Sequence, residues 1–480
     1  MFYFLRTLGF ILLSCFTLSV TGQELIISED LNIRPDDYIR IIGSDDKTTL
    51  LYVHQSGDRK MLYGFSEGLA VKWEREMHFE KKNVEIIGLI PKWEDGFVML
   101  YSFREKGDVI LKSNKYNIEG EKIDSLTWQK YPRRMITPKS RITYSEDRNR
   151  VLVFTNESEA MLDLVCVDLS KMEVQWKSSV VQDMKFKTAF RQIEVANDGS
   201  AFIILEKEPG LLKNEEFSYG LRYYDKEGKA FLETSIPFGE LASRDAFFVF
   251  DNERNGIVGS GIYGEKYGDK QQGIFTIFFD PQLLIFELEN HAFTEGLLSE
   301  IYGKRVNLKR GVHDLHIQDI LLREDGGIVV VSEFVRISEN AGESIYRTRT
   351  IRPPLRVDYN YEDIILFGIQ PDGSFHWKEV LHKTQQSQND DGRYSSYYLH
   401  KNPSNFHLIY NDEIRENTSV SAYITRASGN TKRKSLLNTQ YKNIFLRFGD
   451  GVQISSDEVL LLSEFKNDIK LVKLKLKNGR

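Results

Sequence analysis

The densest group of residues able to do chemistry lies between Tyr361 and Tyr398, in YEDIILFGIQPDGSFHWKEVLHKTQQSQNDDGRYSSYY. Asn389, Asp390 and Asp391 offer three oxygen-bearing side chains in a row. Such donors suit a hard cation such as Ca²⁺, which takes six or more oxygens; no EF-hand spacing surrounds these three. The same residues also suit a turn in which the side chains bond their own backbone. Arg393, Tyr394, Ser395, Ser396, Tyr397 and Tyr398 follow. Read as a strand, Tyr394, Ser396 and Tyr398 share one face, and Arg393, Ser395 and Tyr397 the other. Arginines and tyrosines so placed can stack on a sugar or grip a peptide carboxylate. They can equally pack between elements with their hydroxyls satisfied.

A second group precedes this one. Arg347, Arg349, Arg352 and Arg356 stand close together with Pro353-Pro354, Tyr359 and Tyr361. Folded over the same face, this segment would add arginines to the first group. The candidate ligand-binding residues are therefore Arg352, Arg356, Asn389, Asp390, Asp391, Arg393, Tyr394 and Tyr397. No catalytic residue is assigned, because G-x-S-x-G, H-E-x-x-H, the P-loop and paired C-x-x-C are all missing. His313-Asp314-Leu315-His316 comes nearest to a metal pattern. In a strand, residues three apart face opposite ways, so a blade-edge strand is expected rather than a metal site. No cofactor is expected, with Ca²⁺ at 389–391 as the one candidate.

The elements around these residues are short apolar or alternating runs cut by Gly, Asp, Asn and Ser, with almost no helical period. Hairpin turns recur at Gly68, Gly120, Lys171, Gly228, Pro281, Gly373, Gly429 and Gly479. They lie about 50 to 57 residues apart, except for one interval of about 92. A period near 50 with several strands per unit marks radial or stacked β repeats. Each unit reads as a strand, a DG-type turn, an apolar strand, a loop, a third strand, a second turn and a fourth strand that often bears Trp. That pattern is a four-stranded antiparallel blade, and the fold predicted is an all-β propeller. Eight blades are expected. Seven is the alternative, because the units around 291–334 and 393–411 are less regular. The last unit lacks a strand, which Glu24-Leu25-Ile26-Ile27-Ser28 can supply to close the ring. The continuous apolar strands, Phe202–Leu205, Ile328–Val331 and Val459–Leu462, are expected innermost. A short helix is predicted at 291–303, capped by Thr294 and stopped by Gly303, and a long loop insertion at 335–360.

Residues 1–22 read as a signal peptide. Arg6 provides the positive start, Leu8–Val20 is mostly apolar, and Val20-Thr21-Gly22 offers a cleavage site before Gln23. About 13 apolar residues are too few to span a bilayer, which takes roughly 20. The mature chain is thus expected to be one propeller domain, 23–480, without a transmembrane span, exported to the periplasm or beyond the cell. The alternative is a lipoprotein: Leu12-Leu13-Ser14-Cys15 resembles a lipobox, with Cys15 as the lipidation site of an envelope-anchored domain. Cleavage after Gly22 leaves Cys166 as the sole cysteine, a small hydrophobe in a strand. Loss of Arg6 takes the net charge from −6 to −7, which disfavours nucleic acid as a partner.

The run Ile364–Trp377, followed by Lys383, Gln385, Ser387, Asn389, Asp390, Gly392, Tyr394, Ser395 and Ser396, resembles a motif of uncharacterised secreted β-propeller-like proteins of Bacteroidota. The likeness is specific over about 40 residues and elsewhere is one of repeat style. It implies export and a propeller, and brings no activity with it. The function expected is binding or scaffolding, by a monomer using one face of the ring for a protein, peptide or glycan. The alternatives are an extracytoplasmic hydrolase or lyase acting on polysaccharide or peptide, and a lipid-anchored component of an envelope complex.

Overall fold

The structure is a computed structural model. It describes residues 24–476 apart from 46, 93–95, 134–137, 159–160, 182–188, 209–215, 284, 304–310, 342–354, 415–418 and 440–441. The proposed signal peptide, Cys15, Gly479 and Arg352 with its neighbours Arg347 and Arg349 lie outside the described residues.

Eight antiparallel sheets follow one another along the chain, and apart from two pairings, in the sixth and eighth sheets, neighbouring strands are adjacent in sequence. They occupy 38–76, 85–131, 140–181, 190–237, 241–292, 315–381, 398–438 and 446–475, and are numbered here as blades 1 to 8. The first strand of each blade meets the first strands of adjoining blades around a central channel: Tyr38–Ser44 meets Glu85–Lys92, and Leu241–Asp251 meets Leu315–Leu322. Blade 8 takes its fourth strand from the other end of the chain. Glu24–Ile27 pairs antiparallel with Asp468–Lys475, Glu24 opposite Lys475 and Ile27 opposite Val472. The chain is an eight-bladed β-propeller.

Burial explains the strand order. The runs expected innermost are second strands: Ala201–Lys207, Ile328–Ala341 and Glu458–Phe465. A second strand has paired neighbours on both edges and another blade against each face, so Val459, Leu460, Leu461 and Leu462 are all fully buried. The first strand has one face on the channel and alternates instead: Ile39 and Ile41 are buried, while Tyr38 is 55% exposed. The outermost strands carry charge, as in Val71–Glu76 (VKWERE), which deters edge pairing. Cys166 is buried in Met161–Asp168, and burial pushes its thiol up to about 12.

A helix, α1 (Glu295–Tyr302), follows blade 5. Thr294 Oγ1 accepts from Leu297 N at 3.2 Å, and Gly303 ends the helix with φ 64°. Leu297 and Leu298 fill the seam between blades 5 and 6.

Two expectations around blade 6 need correction. The segment 335–360 is not a loop across its described part: Ile328–Ala341 and Leu355–Ile369 stay paired from Val335 opposite Tyr361 to Ala341 opposite Leu355. Alternation of apolar and polar residues simply continues past the ring. The polar run at 385 is a strand, Gln385–Gln388, paired with that extension from Tyr361↔Gln385 to Asp358↔Gln388. Arg393–Tyr397 is turn rather than strand, with Asn389, Asp391, Gly392 and Ser396 at positive φ, and the next strand begins at Tyr398. The face assignments expected for these residues therefore do not hold.

Candidate functional site on the extended face of blade 6

The third strand of blade 6 runs down from the extension into the ring, and the chain returns beside it at 382–397. The two flanks of the Tyr361–Tyr398 stretch thus meet, and a buried ionic group joins them. Lys383 Nζ lies 2.6 Å from Glu333 Oε1, with both side chains wholly buried. Ser396 Oγ donates to Glu333 Oε2 at 2.6 Å, and Lys383 Nζ donates to Gln385 Oε1 at 3.0 Å. Gln385 Nε2 passes the network to Asn411 O of blade 7 at 2.7 Å. Burial pushes Glu333 up and Lys383 down, each toward its neutral form, while their mutual attraction opposes both shifts.

Above this group the candidate residues divide. Asn389 is used by the backbone: its N donates to Val357 O at 3.0 Å and its Oδ1 accepts from Val357 N at 2.9 Å. Asp390 Oδ1 accepts from Ser387 Oγ at 2.8 Å and from Gly392 N at 3.0 Å. Asp391 remains exposed, its Oδ1 accepting from Tyr359 OH at 3.3 Å. At Asp390 this is the Asx-type turn chemistry open to these residues from sequence, whereas Asn389 and Asp391 bond a strand 32 residues away. Among the described residues, no group of three or more His, Cys, Asp or Glu is placed to hold a metal ion. Arg356 pairs with Asp358 at 2.8 Å on the exposed face of the extension. That face forms a shallow polar cavity of about 500 Å³ with Arg336, Ser338, Asn360 and Gln386.

Arg393, Tyr394 and Tyr397 point away from that cavity and into the seams between blades. Arg393 Nη1 lies 3.4 Å from Glu464 Oε2 of blade 8, which Arg447 also holds at 3.4 Å. Tyr394 stacks on Phe445 with centroids 4.2 Å apart and planes 15° apart. Tyr397 OH donates to Asp319 Oδ2 of the channel strand of blade 6 at 3.1 Å, and burial pushes both groups up. These three residues join blades 6, 7 and 8; among the described members of the expected set, Arg356, Asn389 and Asp391 are exposed beside the extension. His316 Nδ1 lies 3.5 Å from Asp245 Oδ2, which raises its pKa.

The central channel holds functional groups that sequence reasoning missed. One cavity, of about 620 Å³, is lined by Tyr38, Arg40, Tyr144, Arg148, Tyr398 and Asp450 among others. A second, of about 690 Å³, shares Tyr144 and adds Glu146, Glu194, Arg323, Asp325 and Lys401. Burial pushes Glu194 up to about 7, against a hydrogen bond from Gln192 Nε2 at 2.7 Å. Glu146 Oε2 accepts from Asn252 Nδ2 at 3.0 Å. The available signal was the alternation in first strands, where YIRII and RQIEV set Tyr38, Arg40 and Glu194 opposite in phase to the buried Ile39, Ile41 and Ile193.

No family model matches the chain, and no curated protein matches its sequence. Solved structures similar to it include the WD40 domain of SCAP from fission yeast, 9% identical with TM-score 0.39, covering 95% of this chain and 98% of that one. The β-propeller domain of the Trilobed protease from Pyrococcus furiosus is 11% identical with TM-score 0.37, covering 84% and 98%. The periplasmic gluconolactonase of Pseudomonas aeruginosa is 10% identical with TM-score 0.34, covering 87% and 96%. The propeller assignment rests on this chain's own sheets.

Proposed function

We propose that this chain is a binding propeller, directed out of the cytoplasm by residues 1–22, that engages a protein or peptide on the face where blade 6 rises above the ring. One observation carries the reading. The central hairpin of blade 6 extends beyond its blade and recruits Gln385–Gln388 into a three-stranded sheet. Leu315, the first residue of the neighbouring strand, stands opposite Phe334, and among the described residues no strand pairs the outer edge of 336–341. An open edge is a template for strand addition by an extended peptide. Ile337 there is 55% exposed, an apolar anchor beside the polar face of Arg336 and Arg356. Among the described residues no helix is long and apolar enough to cross a membrane.

The test replaces 336–360 by a two-residue turn and compares both proteins on a peptide array and by calorimetry against the peptides found. The expected outcome is micromolar peptide binding that the shortened protein loses while keeping its thermal midpoint. Equal binding by both proteins would overturn the assignment of this face. Turnover of a glycan or peptide, lost in Glu194→Gln, would point instead to an enzyme working from the channel.

A further inference from the structure

The channel cavity beside blades 1 and 3 is separate from the face just described. We propose that it binds an acidic sugar, a uronate residue of a glycan, with the carboxylate held between Arg40 and Arg148 and the ring against the channel tyrosines.

The backbone sets both arginines. Arg40 follows the alternation of Tyr38–Ser44, in which Ile39 and Ile41 are buried at 4% and 2% and their neighbours turn to the channel. Arg148 sits in the turn after Ser140–Tyr144 at φ 58°, its N donating to Ser145 O at 2.8 Å. Lys92 of blade 2 donates to Arg148 O at 3.2 Å and fixes the turn to the next blade. Both guanidinium groups line the same cavity of about 620 Å³, a size ordinary for a small-ligand site. Burial holds the Arg148 guanidinium below its usual range, and the field of Arg40 acts in the same direction. The acid on this wall, Asp450, is engaged by Arg447 at 2.6 Å. An anion entering here therefore meets two positive groups in surroundings less polar than water, where the attraction is stronger than at an open surface. A guanidinium fork matches a carboxylate in geometry as well as charge.

The tyrosines favour a sugar over a peptide end. Tyr38 and Tyr144 are large rings left 55% and 40% exposed in the channel wall, with Tyr398 of blade 7 lining the same cavity. Their flat faces and hydroxyls suit the apolar face and hydroxyls of a pyranose. A peptide carboxylate would use the arginines and leave the rings idle. The adjoining cavity carries Glu146, Glu194, Glu324 and Asp325 against Arg323 and Lys401, and this excess of acids favours an acidic ligand on the side of Arg40 and Arg148.

Calorimetry on the full-length mature protein would compare trigalacturonate, a neutral galactose trisaccharide and a tripeptide with a free carboxyl end. The proposal expects trigalacturonate to bind at least tenfold more tightly than the other two. Arg40→Gln with Arg148→Gln should abolish that binding, and Arg40→Lys should weaken it at least fivefold, because it keeps the charge and loses the fork. Thermal midpoints would verify that each variant is folded; Tyr144→Ala offers an independent variant if the arginine pair proves unstable, and should also lower affinity. Absence of trigalacturonate binding, equal binding of the neutral sugar, stronger binding of the peptide, or affinity unchanged in these variants would each overturn it.

Discussion

Lys383 and Glu333 form an ion pair 2.6 Å apart with both side chains wholly buried. Desolvation makes such a pair a poor source of net stability, yet removing one partner strands the other charge. Lys383→Met is therefore expected to cost about 3–5 kcal/mol in urea unfolding, and Glu333→Leu with Lys383→Met together should recover most of that loss. If the double variant is no more stable than the single one, the pair is not the reason. At this scale the sequence was legible in part. The local turn at Asp390 was among the readings available, whereas Asn389 bonds Val357, 32 residues away. The seam roles of Arg393, Tyr394 and Tyr397 were not legible, because their partners Glu464, Phe445 and Asp319 lie 71, 51 and 78 residues away in the chain.

Between elements, the blades are joined by a repeated fit of Trp against Gly. A Cβ on Gly228, at φ 76°, would stand 2.7 Å from the ring of Trp176 in the preceding blade. Trp73 meets Gly120 and Trp377 meets Gly429 in the same way, and Trp176 and Trp377 donate Nε1–H to Gly199 O and Ala427 O across the seam. Gly120, Gly228 and Gly429, which marked the sequence period, are thus both turn formers and notches for a neighbour's side chain. Gly228→Ala should lose about 1–3 kcal/mol through backbone strain and the displaced ring. Gly239→Ala, at φ 59° with nothing within 4 Å, carries strain alone and should cost less. Equal losses in chemical denaturation would mean that the Trp fit adds nothing. The extension of blade 6 was misread because a long interval between turns looks the same whether it is loop or paired strand. The alternating Val335, Ile337, Val357 and Tyr359 were the clue to pairing.

For the molecule as a whole, the ring is held shut where the chain ends meet. Besides the pairing of Glu24–Ile27, Ser28 N donates to Leu471 O at 2.9 Å and Leu31 N to Ile469 O at 2.9 Å. Removing 24–30 would leave Asp468–Lys475 as an open edge and uncover the apolar residues that Leu25, Ile26 and Ile27 pack against. The expected loss is about 3 kcal/mol or more from these side chains, with concentration-dependent association, read by calorimetry and size-exclusion chromatography. A truncated chain as stable as the intact one and in the same association state would show that the closing strand is dispensable.

Local sequence carried the repeat, the four-stranded blade and the strand that closes the last blade, and favoured eight blades with seven left open. Each is written in local features: alternation, turn residues, their spacing and one unpaired apolar run near the start. Only the tertiary structure decided which polar residues face one another. The channel of Arg40, Arg148, Tyr144 and Glu194 draws on blades 1, 3 and 4, and the seams of Tyr394 and Tyr397 on blades 6, 7 and 8. The ring brings distant segments together by its curvature, and no spacing along the chain records that.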